Sequence, residues 1–168
     1  GRRMRLVIVT GVSGAGKSQA VKTLEDMDFF CVDNLPPMII PKFLEMCKMS
    51  EDKIENIAIV MDIRAGKLFE STSAALAAIE DAGYSYEILF LDASNETLIK
   101  RYKTTRRRHP LAPNDRIEVG IEREREKLSA IKQRAKYVID TSNLTPKKLS
   151  ESLLSIFEYG KVFQELFI

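Results

Sequence analysis

Short apolar runs and stretches of helical spacing take turns along this chain from end to end. Leu6-Val7-Ile8-Val9 anchors a β-branched run over residues 5–10, suited to a strand buried on both faces. Further strand-like runs fall at 29–33, 57–63, 86–92 and 137–140. Val21, Leu24 and Met27 predict a helix over 19–27, and 38–49 reads as a second, with Pro41 disturbing its first turn. Leu68, Thr72, Leu76 and Ile79 line one stripe of a helix over 67–82, which Gly83 ends. Leu98, Ile99 and Tyr102 face inward on the next, and 106–115, holding Pro110 and Pro113, reads as a loop. A charged helix over 117–135 shows a sparse apolar face of Ile117, Ile121, Leu128 and Ile131; its Glu-Arg-Glu-Arg-Glu-Lys centre reads as a solvated face with close-range ion pairs. Thr145 as N-cap and Pro146 at the first position open the last helix. Strands alternating with helices predict an α/β fold: a three-layer α/β/α sandwich around a five-stranded, mainly parallel sheet. A ligand then belongs beyond the carboxyl ends of the strands.

The residues at the first such end carry the clearest chemistry. Gly11, Val12, Ser13, Gly14, Ala15, Gly16, Lys17 and Ser18 complete the pattern G-x-x-x-x-G-K-[ST] between a predicted strand and a predicted helix. Glycines let the backbone curl so that successive N–H groups converge on a phosphate, and the helix adds its positive end. Lys17 is placed to reach the β- and γ-phosphates, and the Ser18 hydroxyl to ligate Mg²⁺. The competing reading, a glycine-rich turn that binds nothing, must treat every fixed position and both flanks as coincidence. The pattern predicts a P-loop NTPase domain of nucleotide-kinase-like build that binds a nucleoside triphosphate.

Composition narrows the rest. With 168 residues, 45% apolar and 30% charged, the chain has the size and make-up of one globular domain. A formal charge of +2 does not by itself call for a polyanionic partner. Cys31, Cys47 and the single histidine, His109, lack metal-ligand spacing, which argues against a zinc site; two plain thiols suit a cytoplasmic setting. No apolar run is long enough to predict a membrane span. Gly1-Arg2-Arg3 reads as a basic end outside the fold, with Met4 as the natural start. Val162, Phe163, Leu166, Phe167 and Ile168 crowd the end of the chain. Either they dock on the domain's own core, or residues 1–168 are one nucleotide-binding domain cut just before a second; we favour the second reading.

Three aspartates fall near strand ends. Asp62, closing Ile59-Val60-Met61-Asp62, has the shape of a Walker B carboxylate, suited to holding the water shell of Mg²⁺ or orienting an attacking water. Arg64 shares its side-chain direction and suits a phosphate or a base edge; the plainer alternative is a structural Asp–Arg pair. Asp33, before Asn34-Leu35-Pro36-Pro37, stands where small-molecule kinases of this build meet the phosphate acceptor, or else forms a turn. Asp92 reads as a helix cap or turn holder ahead of any catalytic role. Arg101, Arg106, Arg107, Arg108 and His109 make the basic feature of the chain. We favour Arg106 to His109 as a lid over the triphosphate; a solvated helix end and a contact with nucleic-acid phosphates are the alternatives. Asp140-Thr141-Ser142-Asn143, after the fifth strand, is a weak candidate for the base or ribose side.

Taken together, the segments from Met4 to Ser18, Phe29-Phe30-Cys31-Val32-Asp33-Asn34-Leu35-Pro36-Pro37, Asp62-Ile63-Arg64, Phe90-Leu91-Asp92-Ala93 and Thr105-Arg106-Arg107-Arg108-His109-Pro110-Leu111 resemble the RapZ/YvcJ family of bacterial nucleotide-binding proteins over nearly the whole chain. Val-Asp-Asn-Leu-Pro-Pro and Thr-Arg-Arg-Arg-His-Pro-Leu are its most specific parts. The resemblance implies binding and hydrolysis of ATP and GTP, with the loop from Gly11 to Ser18 assigned to ATP and Asp62-Ile63-Arg64-Ala65 to GTP. We read both as parts of one crevice. It also implies a C-terminal domain, absent here, tied to small-RNA binding, a ribonuclease partner and control of amino-sugar synthesis. For these residues the expectation stops at a weakly hydrolytic, regulatory nucleotide-binding domain, with Lys17 and Asp62 as its catalytic pair. A small-molecule kinase and an RNA-binding module that uses the basic cluster are the alternatives.

Overall fold

The computed structural model describes residues 4–33, 35–50, 54–61, 68–105 and 116–167, the side chains of 68–71, 105 and 158–167 excepted. In chain order the elements are β1 (Arg5–Gly11), α1 (Lys17–Asp26), β2 (Phe30–Asp33), α2 (Ile40–Met49), β3 (Asn56–Val60), α3 (Leu68–Asp81), β4 (Glu87–Asp92), α4 (Asn95–Thr105), α5 (Ile117–Arg134), β5 (Tyr137–Asp140) and α6 (Pro146–Phe167). The strands form one sheet in the order β2-β3-β1-β4-β5, with every neighbouring pair parallel. Helices α1 and α6, α2 and α3, and α4 and α5 pack as pairs. This is the expected α/β/α sandwich.

β1 sits at the centre because its side chains are apolar on both faces; Leu6 to Val9 are all buried. The chain leaves β1 towards one edge, then crosses back over it between β3 and β4, so the order reverses at the carboxyl end of β1. That end is where an open parallel sheet leaves a crevice.

Element boundaries moved for local reasons. Phe29 donates its N–H to Leu24 O at 2.9 Å, which closes α1 and delays β2 by one residue. Pro41 takes the second helical position of α2, where its missing N–H costs nothing. Gly83 donates to Glu80 O at the end of α3, and Thr145 Oγ1 accepts the Lys148 N–H as the N-cap of α6. Lower in the sheet, Phe157 of α6 meets Phe29 and Tyr137 edge-on, with ring centroids 5.7 and 5.5 Å apart, under the Arg5 guanidinium. Each such aromatic pair contributes about 1 kcal/mol beyond its buried area.

One expectation holds only in part. The acidic-basic centre of α5 is exposed at Glu122, Arg123, Glu126 and Lys127, but Glu124 is fully buried, in line with Ile121, Leu128 and Ile131. Spacings of four and three residues carry the buried stripe through Glu124, so helix geometry outranks the charge.

Candidate functional site

The glycine-rich segment joins β1 to α1 at the carboxyl end of the central strand. Gly16, at φ 101°, is the N-cap of α1 and turns the chain into the helix. Several loop donors are already engaged. The Val12 N–H goes to Leu91 O at 3.1 Å, the Ala15 N–H to Val12 O at 3.1 Å, and the Ser13 N–H to Glu124. Among the described residues no protein acceptor meets the N–H groups of Gly14, Gly16 or Ser18. They lie in the loop and the first turn of α1, where helix N–H groups lack intrahelical partners and the helix dipole favours an anion.

Lys17 folds back over this loop. Its Nζ donates to Gly11 O and to Val12 O, both at 3.1 Å. An ammonium offers three donors on a long flexible stem. Two anchors at the start of the loop hold it beside the donors just described, the position a phosphate-binding lysine needs.

Three residues from distant parts of the chain brace the loop from outside. Glu124 of α5 accepts the Ser13 N–H on Oε1 and the Ser13 hydroxyl on Oε2, both at 2.6 Å. Arg101 of α4 donates from Nη1 to Gly14 O at 2.8 Å and from Nη2 to Thr141 O at 2.8 Å. Thr141, just past β5, donates its hydroxyl to Ala15 O at 2.7 Å. Arg101 thus ties the loop to the end of β5. Thr141 engages its hydroxyl and carbonyl with the loop and with Arg101.

The aspartates divide. Asp33 ends β2 exposed, opposite Val60 and two strands away from β1. The Met61 N–H bonds Val9 O at 2.9 Å, so β3 keeps pace with β1 up to the residue before Asp62. Asp62, Ile63, Arg64 and Ala65 lie outside the described residues, as do Arg106, Arg107, Arg108 and His109. Asp92 holds a turn: its Oδ1 accepts the Ala93 N–H at 2.7 Å and Arg125 Nη1 at 2.8 Å, and its Oδ2 takes Lys132 at 2.8 Å. The cap of α4 is instead Ser94, whose Oγ accepts the Thr97 N–H. Burial works to raise the Asp92 carboxyl, but Lys132, Arg125 and the Ala93 N–H outweigh it and hold the group below its ordinary value. A depressed carboxyl stabilises the fold above the ordinary aspartate value, and that stabilisation is lost as pH falls through the folded one. Both cations are partly exposed, so Asp92→Ala is expected to cost about 1–2 kcal/mol at neutral pH. The difference from the parent should shrink on acidification below about pH 4, as urea unfolding at several pH values would show.

Magnesium suits the donors that are present. A magnesium ion beside phosphates takes most of its ligands from phosphate oxygens and water. Ser18, exposed on the first turn of α1 beside Lys17, offers a hard hydroxyl oxygen. Among the described residues no group of three or more His, Cys, Asp and Glu side chains is placed to hold a metal unaided. Cys31 and Cys47 are free thiols; burial, with the Glu25 charge second, pushes Cys31 up to about 11, which keeps it a poor nucleophile. No helix of the described residues is long and apolar enough to cross a membrane.

Comparison with known proteins identifies the family and the fold. A family model described as the RapZ-like N-terminal domain matches residues 4–161. A nucleotide-binding protein of Acetivibrio thermocellus is 56% identical over 165 residues, a match covering 98% of this chain and 57% of that protein. One from Clostridium acetobutylicum is 54% identical over 166 residues, covering 98% and 56%. The chain thus spans a little over half the length of these curated relatives. Among solved structures, the shikimate kinase of Bacteroides thetaiotaomicron aligns with a TM-score of 0.58 at 16% identity, over 92% of this chain and 99% of that one. The YorR protein of Bacillus subtilis, solved in complex with phosphorylated GDP, aligns with a TM-score of 0.58 at 13% identity, over 93% and 97%. At such identities these structures speak for the fold alone, a P-loop kinase-like α/β sandwich. With its fold, its glycine-rich loop and relatives at more than half identity in agreement, this chain belongs to the family of RapZ-like N-terminal domains.

Proposed function

We propose that this chain binds ATP and GTP in one crevice at the carboxyl end of β1 and hydrolyses them slowly, as the regulatory nucleotide-binding domain of a longer cytoplasmic protein. The observation that carries the reading is the Lys17 ammonium, held 3.1 Å from both Gly11 O and Val12 O above a loop that leads into a helix N-terminus. Backbone donors from Gly14, Gly16 and Ser18 hold the phosphate oxygens, and Lys17 neutralises the charge that grows on them during transfer. The Ser18 hydroxyl, and Asp62 through water, would hold Mg²⁺, which when bound would supply positive charge against the phosphates. Ile63, Arg64 and Ala65 complete the nucleotide side, and Arg106, Arg107, Arg108 and His109 cover it. RNA and a ribonuclease belong to the longer protein in this reading, not to these residues.

A second reading, phosphoryl transfer to a small metabolite, has one observation on its side: Asp33 stands exposed at the carboxyl end of β2. Turnover separates the two. Phosphate release from ATP and GTP, measured with Mg²⁺ and with or without a pool of metabolite acceptors, is expected to be slow and indifferent to the pool. Asp62→Asn is expected to lower it about 100-fold, the typical loss when one group that stabilises a transition state is removed. Acceptor-dependent transfer far above hydrolysis would replace the regulatory reading with the kinase one.

A further inference from the structure

Glu124 is the one charged side chain among the described buried residues, at 0% exposure. Its place on α5 would suit leucine or isoleucine, since Ile121, Leu128 and Ile131 share the stripe. Burying a carboxylate is costly unless it gains strong partners. Both of its oxygens reach Ser13, one to the main-chain N–H and one to the hydroxyl, at 2.6 Å each.

The consequence runs through a single peptide unit. The Val12 carbonyl and the Ser13 N–H belong to the same planar trans peptide and so point in opposite directions. When Glu124 draws the Ser13 N–H outwards to α5, the Val12 oxygen must face the other way, into the loop. There it accepts Lys17 Nζ at 3.1 Å and the Ala15 N–H at 3.1 Å. We propose that Glu124 is a positioning residue: by fixing the plane of the Val12–Ser13 peptide it aims the Val12 carbonyl and thereby holds Lys17 for a polyphosphate. The inference rests on the nucleotide reading, because it concerns how that site is aimed.

Glu124→Leu is the direct test. Leucine fits the apolar stripe, and replacing a buried ion by a well-packed hydrophobe is often neutral or stabilising. The variant should therefore resist urea as well as the parent while binding ATP with Mg²⁺ at least tenfold more weakly in calorimetry. Glu124→Gln keeps an acceptor for the N–H and a donor for the hydroxyl oxygen, and should stay within threefold of the parent. Where leucine prevents folding, Glu124→Ala, which leaves room for water, is expected to show the same tenfold loss. A folded Glu124→Leu or Glu124→Ala that binds ATP like the parent would overturn the inference and leave the nucleotide reading standing. So would a glutamine variant no better than leucine. A parent that binds neither ATP nor GTP would overturn both.

Discussion

Lys17→Ala is expected to fold like the parent and to bind ATP or GTP with Mg²⁺ about 100-fold more weakly, with turnover falling at least as far. The side chain is half-buried and donates to two main-chain carbonyls, so its removal should cost the fold about 1–2 kcal/mol, which leaves it folded. Its charge matters once an anion arrives. A charge-assisted bond to phosphate in a partly desolvated loop accounts for about 3 kcal/mol, which corresponds to the expected factor. Lys17→Arg should not rescue it, because a planar guanidinium cannot meet both carbonyls as a compact ammonium does. Titration calorimetry, phosphate release and urea unfolding on the three proteins check all parts together. A Lys17→Ala protein that binds and turns over nucleotide like the parent would show that the crevice lies elsewhere.

Gly11→Ala should have the largest effect on the fold itself. A Cβ built on Gly11 would stand 2.1 Å from Leu91 O and 2.8 Å from Leu91 N, both backbone atoms of the neighbouring central strand. Neither can move without parting β1 from β4. The φ of 147° adds strain for any L side chain. We expect a loss of about 3 kcal/mol or more, a large share of the stability of a domain this size, or failure to accumulate as folded protein. Gly83→Ala is the control. Its φ is 86° but nothing lies within 4 Å of the added atom, so it should show only the backbone cost of about 1 kcal/mol. Equal urea midpoints for the two variants would contradict the close approach of Gly11 to Leu91.

Much of this arrangement was legible in the residues because it is local. The run before Gly11, the loop and the first turn of α1 are consecutive, and each is specified by its own side chains: β-branched residues for a buried strand, glycines for the curl, a lysine at the first position of the helix. β5 over Tyr137–Asp140 and the Thr145-Pro146 start of α6 were legible on the same grounds. The braces were not. Glu124 sits 111 residues from Ser13, and Arg101 sits 87 from Gly14. In an acidic-basic run, the polar character of Glu124 argued for solvent more loudly than its spacing from Ile121 and Leu128 argued for burial. Arg101 was grouped with the arginines that follow it, although the helix that carries it packs beside the loop. Asp92 was ambiguous between cap and turn because its partners Arg125 and Lys132 come from a helix that begins 25 residues later.

From sequence alone come the alternation of strand and helix and the phosphate-loop motif, because backbone preference and hydrophobic period act over a few residues. Only the tertiary structure decides which polar groups face one another. The order β2-β3-β1-β4-β5 and the packing of α4 and α5 bring Glu124, Arg101 and Thr141 against a loop far from each of them in the chain. A charge is tolerated inside a protein only where donors converge on it, and those donors exist only once the sheet has assembled.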